Sequence, residues 1–139
     1  MRITIKNLQK KLSIRPEGIK KLVLKILKNE KRKESGWINI CFVDNRVIKK
    51  FNAKFHKTNQ PTDVLAFNLS GENKKKVLWA DIMISTDTAI KAANCFNTTA
   101  DYELSLYVAH GILHILGYND RTNTQIKLMR KKENQYVDR

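Results

Sequence analysis

The sequence predicts an α+β fold, a mixed β-sheet packed by about five helices. Four short β-prone segments and five cap-bounded or amphipathic segments follow in the order β-α-β-α-β-β-α-α-α, which layers helices on a sheet. No repeat, low-complexity tract or interdomain linker interrupts the chain, so residues 1–139 read as one domain, large enough to bury its own core. A hydrophobic content of 42% is ordinary for a soluble globular chain.

Arg2 to Lys6 alternates apolar and polar residues and reads as the first strand. Ser13 to Glu17 carries helix-start signals, with Pro16 tolerated in a first turn. Ile19, Leu22, Val23, Ile26 and Leu27 follow at helical spacing, with lysines on the other faces. After a charged connection, Trp37 to Val43 is mostly apolar and β-prone, which predicts a strand covered on both sides. Asp44 or Asn45 can cap a second helix with Ile48, Phe51 and Phe55 inward. Its tail, Lys54 to Lys57, runs into a loop around Asn59 to Thr62. Val64 to Phe67 and Val77 to Ser85 read as two strands, and the polar segment between them suggests a hairpin. Asp81 interrupts the second of these, so it either faces water or holds something in place. Ser85 to Asp87 offers caps for a third helix with Ala89, Ile90, Ala93 and Phe96 inward. A fourth helix spans about Ala100 to Leu116 with Leu104, Tyr107, Val108 and Leu113 inward. Thr122 to Gln125 has capping-box form and opens a last helix through Ile126, Met129 and Val137.

Composition narrows the function classes. No apolar run has the length to cross a bilayer, and the N-terminus lacks the apolar core of a signal peptide, so a cytoplasmic protein with no membrane partner is expected. Cys41 and Cys95 sit in apolar surroundings without a CxxC pairing and read as buried free thiols. Lys and Arg number 27 against 13 acidic residues, a net charge of +14. A chain this basic is attracted to phosphate backbones, although a lysine-rich proteome would raise the charge without any such partner.

One stretch reads as chemistry: His110-Gly111-Ile112-Leu113-His114-Ile115-Leu116-Gly117-Tyr118-Asn119-Asp120. His110 and His114 are four apart and so share one helix face, the spacing that offers two imidazoles to one metal ion. Gly117 can close the helix in a left-handed turn, and Asp120 follows within reach. Two imidazoles and a carboxylate leave the fourth position of a tetrahedral zinc free for water, which is the pattern of a catalytic site. Gly111, small, leaves open space beside the metal in this reading. By itself the histidine pair also fits surface or satisfied core residues, and Asp120 or Asn119 also fits as a cap of the last helix. Gly111 stands where metallopeptidases of the HExxH kind place their glutamate base, which disfavours a peptidase.

This segment resembles the signature of the YbeY family of bacterial rRNA-maturation endoribonucleases, H-G-x-L-H-L-x-G-Y-D-H. Pro61-Thr62-Asp63-Val64-Leu65-Ala66-Phe67 is similar to the family's P-T-D-V-L-S-F strand, and Leu78-Trp79-Ala80-Asp81-Ile82 to its L-G-D-I element. The resemblance runs from about Asn52 to the last helix and is weak before that.

It implies a mixed four-stranded sheet with the metal site on the fourth helix and the turn after it. It also implies metal-dependent cleavage of single-stranded RNA, in 16S rRNA 3′-end maturation and ribosome quality control. His110 and His114 match the first two zinc ligands. The third family histidine falls on Asp120, Asn119 stands where the family has aspartate, and the family's arginine ahead of the P-T-D strand falls on His56. The implied set is therefore one zinc ion on His110, His114 and Asp120, catalysis by His110, His114 and His56, and RNA contacts from His56, Lys54 and Lys57. Aspartate ligates zinc at similar distance but adds a negative charge, which weakens the ion as a Lewis acid. Implied partners are rRNA in the small ribosomal subunit, with ribosomal proteins or an assembly GTPase. The altered ligand set also fits a non-catalytic RNA- or ribosome-binding assembly factor whose metal is structural or absent.

Overall fold

A computed structural model of the chain describes residues 1–56, 62–71 and 76–138, with the side chain of His56 outside them. Its elements are β1 (Arg2–Asn7), α1 (Pro16–Asn29), β2 (Ser35–Val43), α2 (Asn45–His56), β3 (Val64–Asn68), β4 (Val77–Ser85), α3 (Thr86–Phe96), α4 (Ala100–Ile115) and α5 (Asn123–Tyr136). The order is the one the sequence predicts. The four strands form one mixed sheet in the order β1-β2-β4-β3. β1, β2 and β4 run parallel, and the predicted β3–β4 hairpin pairs antiparallel, leaving β3 at the edge.

Local chemistry sets the boundaries. The Asp44 carboxylate accepts from the backbone N–H of Val47 at 3.1 Å, so Asp44 caps α2. Ser85, Thr99 and Thr122 cap α3, α4 and α5 through their hydroxyls, and Thr122 completes a capping box with Gln125. The cap on α5 is thus Thr122, which leaves Asp120 and Asn119 free of that task. α4 ends in a Schellman turn: Gly117 takes φ +105°, its N–H donates to His114 O, and Tyr118 N–H donates to Leu113 O, both at 3.0 Å.

The sheet has two unlike faces. Ile38, Ile40, Phe42, Leu78, Ala80, Ile82 and Ile84 project to one side and join Val23 and Ile26 of α1 and Val108, Ile112 and Leu113 of α4 in the main core. On the other side a small cluster of Val43, Ile48 and Leu65 seats α2 over one end of the sheet. β2 is therefore fully covered only at that end, whereas the sequence predicts cover along its length. Trp37, Asn39 and Cys41 remain half-buried on the side of α2.

Three further expectations are corrected. Phe51 and Phe55 of α2 are exposed, because the inner face of that helix is filled by Ile48 and the buried Asn52. Phe96 is exposed at the end of α3, where Ala89 and Ala93 make the inward stripe. Both cysteines are free thiols, but Cys95 is exposed and Cys41 only half-buried.

Gly111 has a different role from the one its place between the histidines suggests. A Cβ there would stand 3.0 Å from Ile82 Cγ2 and 3.3 Å from Val64 Cγ2. The missing side chain lets α4 lie close on β3 and β4, and the space is on the sheet side, away from any metal. Gly111→Val should overpack this contact and lower stability by about 1–3 kcal/mol, read from the midpoint of urea unfolding.

Candidate metal centre

α4 carries His110 and His114 on its last two turns, and the Schellman turn folds the chain back so that Asp120 faces them. The ligand atoms of the three lie within 4.8 Å of one another. His110 Nε2 is 3.0 Å from His114 Nε2, and Asp120 Oδ2 is 3.4 Å from each. Donors about 2.0–2.2 Å from a tetrahedral ion stand roughly 3.3–3.6 Å apart, so the triangle is close to the one zinc would need.

The protons support the same fit. His110 Nδ1 lies 2.8 Å from Glu133 Oε2 on α5. An ionised carboxylate only accepts, so Nδ1 carries the hydrogen and Nε2 of a neutral ring presents its lone pair to the triangle. That lone pair, the second imidazole and the Asp120 carboxylate converge as Lewis bases, an arrangement that a proton or a cation must neutralise. Burial opposes a charged His110, but the hydrogen bond and charge of Glu133, with the charges of Asp63 and Asp120, outweigh it and raise the pKa above the ordinary 6.5.

Glu133 is the residue that sequence reading missed. A carboxylate holding the far nitrogen of a ligand histidine fixes the ring's tautomer and orientation and makes the ligand more basic. In the sequence Glu133 is only a residue four places after the inward Met129, on the same face of α5, and nothing local pairs it with His110.

The turn after α4 is held from outside by a second carboxylate. Glu30, at the C-terminus of α1, accepts from the hydroxyls of Tyr118 and Tyr136 and, at 3.0 Å, from the ammonium of Lys132. Burial pushes its carboxyl up, yet these three donors outweigh burial and hold it below the usual range. Arg32 Nη1 adds a bond to Leu116 O at 3.3 Å. Lys132 and Glu133, adjacent on α5, thus serve the turn and the imidazole respectively.

A cleft of about 640 Å³ opens over the three donors, lined by the edge strand β3 and by Asn52, Asp63, Asn119 and Arg121. Arg121 is a cationic residue in this cleft that the sequence reading also passed over. Of the expected RNA contacts, Lys54 is exposed with its ammonium 5.4 Å from the Phe55 ring centroid, and it is not among the residues lining the cleft. The His56 side chain and all of Lys57 lie outside the described residues. Asp81 accepts from the Asn39 side-chain amide at 3.1 Å, on the sheet face away from α4. Among the described residues, no helix is long and apolar enough to cross a membrane.

The family described as Endoribonuclease YbeY matches residues 4–139, so the likeness extends well before Asn52. Among curated relatives, an Endoribonuclease YbeY of Syntrophus aciditrophicus is 38% identical over 138 residues, covering 96% of this chain and 86% of the relative. An Endoribonuclease YbeY of Desulforamulus reducens is 32% identical over 149 residues, covering 100% and 97%. The solution structure of TM1509 from Thermotoga maritima superposes with a TM-score of 0.67 at 32% identity, over 97% of this chain and 86% of that one.

Glu133→Ala should weaken metal binding about 10–100-fold, measured by competition against a chromogenic chelator. A metal held by His110 Nε2 would compete with a proton there, so affinity should fall as pH drops through the raised His110 value. Without Glu133 the histidine loses its main raising partner, and that fall should move to lower pH.

Proposed function

The chain belongs to the YbeY endoribonuclease family, and from that membership we propose that it is a zinc-dependent endoribonuclease cutting single-stranded RNA, acting on 16S rRNA at its 3′ end and in ribosome quality control. The observation that carries the reading is the convergence of His110, His114 and Asp120 beneath an open cleft in a chain of net charge +14. These three residues would hold one zinc ion per chain. Two imidazole nitrogens and one carboxylate oxygen suit that ion and leave a position for water or substrate. When bound, the ion supplies a Lewis acid that polarises a phosphoryl oxygen and makes water acidic enough to attack near neutral pH.

The protein's own groups do the rest. Glu133 keeps the His110 proton on Nδ1, so that Nε2 stays available as a ligand. The Tyr118–Glu30 tie steadies the turn that carries Asp120. Arg121, in the cleft wall, would pair with a phosphate, and the family resemblance assigns further RNA contacts to His56, Lys54 and Lys57. β3, as the edge strand, runs beside the donors with one side of its backbone outside the sheet ladder.

An anionic third ligand lowers the Lewis acidity of the ion relative to three histidines, so this enzyme should turn over slowly and hold its metal firmly. Asp120→Ala should lose both zinc and cleavage of a single-stranded RNA, whereas Asp120→His should retain zinc. Metal content by mass spectrometry and a gel assay of RNA cleavage read the two effects. Full zinc occupancy in Asp120→Ala would remove Asp120 from the ligand set. Zinc-loaded protein that binds RNA but never cuts it would favour an assembly factor over an enzyme.

A further inference from the structure

The face of the sheet turned away from α4 carries side chains that neither the core nor the metal centre uses. Strand alternation places Arg2, Trp37 and Trp79 in one row across β1, β2 and β4. Thr4, Asn39, Asp81 and Phe67 form the next row, completed by β3. α2 covers only the far end of this face, so the surface stays open. Both tryptophans of the chain stand on it.

Its exposure is large for residues of this kind. Trp79 is 41% exposed, Leu69 49%, Phe55 52% and Phe51 37%. The rings are ordered against one another: Phe51 and Phe55 stack at 6.0 Å between centroids, and Phe55 meets Phe67 edge-on at 5.3 Å. Between them and the Asn39–Asp81 pair lies a cavity of about 270 Å³. The apolar walls are thus combined with an amide and a carboxylate, which offer both a donor and an acceptor. Cations stand on two of the elements that bound it. α2 carries Arg46, Lys49, Lys50 and Lys54 and no carboxylate, and β1 adds Arg2 and Lys6.

We propose that this face is a stacking platform for single-stranded RNA, continuous with the cleft around the edge strand β3. The proposal rests on the endoribonuclease reading and extends it to where the substrate lies. Exposed aromatic rings beside lysines suit unpaired bases, whose faces stack and whose phosphates seek cations. A protein-binding core would instead be depleted of charge. On β3, Val64, Ala66 and Asn68 point toward the α4 side and Leu65 and Phe67 toward the platform. An RNA strand crossing that one edge passes from the rings to the donors of the metal centre.

The test uses the full chain in chelator, so that binding is read without cleavage. The probe is a dye-labelled single-stranded oligouridylate, followed by anisotropy and by intrinsic tryptophan emission. Binding should quench the tryptophans. Trp79→Ala and Phe55→Ala should each weaken binding about tenfold, and Lys54→Gln should reduce the slope of affinity against salt by about one ionic contact. Phe96→Ala, an exposed phenylalanine outside this face, should bind as the unaltered chain does. If the unaltered chain binds RNA and both Trp79→Ala and Phe55→Ala bind equally well, the platform is wrong and the endoribonuclease reading survives. Absence of RNA binding by the unaltered chain would overturn the platform, and absence that persists after zinc is restored would overturn the endoribonuclease reading as well. If the chain self-associates in sedimentation and Trp79→Ala makes it monomeric with RNA affinity unchanged, the face serves protein contact and the proposal fails.

Discussion

The close contact of α4 with β3 and β4 at Gly111 is the constraint on which the rest of the molecule depends. α4 is buried along most of its length, touching α1, α3, α5 and the sheet. A helix enclosed in this way cannot be pushed outward without separating several layers at once. Glycine at the point of closest approach lets it settle onto Ile82 and Val64, and the edge of the sheet then becomes the floor beneath His110 and His114. The position of the donors is therefore set by core packing against Ile82 and Val64 as well as by polar contacts.

Charge is the second organising factor. In a chain with 27 cationic and 13 acidic residues, carboxylates stand at the points where structure or chemistry needs a fixed anion. Glu30 gathers two tyrosine hydroxyls and Lys132, and so joins the end of α1 to α5 and to the turn after α4. Glu133 faces the other way and orients His110. Asp120 completes the donor triangle. The surplus of lysine and arginine is left at the surface, where it favours contact with a polyanion. The sheet face beyond α2 adds aromatic rings to that cationic surface.

Much of this was legible in the sequence because it is written in local chemistry. Caps, the Gly117 turn and the strand periodicities depend on neighbours a few residues away, and the element order followed from them. The pairing of His110 with His114 is likewise a property of one helix. Longer-range facts were harder to read. Phe51 and Phe55 have the spacing of a buried helical stripe, yet the sheet beneath them ends in a small cluster that Ile48 fills, so the phenylalanines remain in solvent. Gly111 looked like space for a metal because the histidines flank it in sequence. Its side of the helix in fact belongs to the sheet, since residues one apart on a helix point about 100° apart. Glu133 lies 23 residues from His110, and no local pattern announces a partner at that distance.

The central claim is that His110, His114 and Asp120 together hold a single metal ion. Anomalous diffraction from crystals of the zinc-loaded protein, recorded on both sides of the zinc edge, tests it most directly. The account predicts one anomalous peak, between the two Nε2 atoms and the Asp120 carboxylate, with Glu133 still bonded to His110 Nδ1. A peak at other residues, or zinc-loaded crystals with no peak at this triangle, would contradict it.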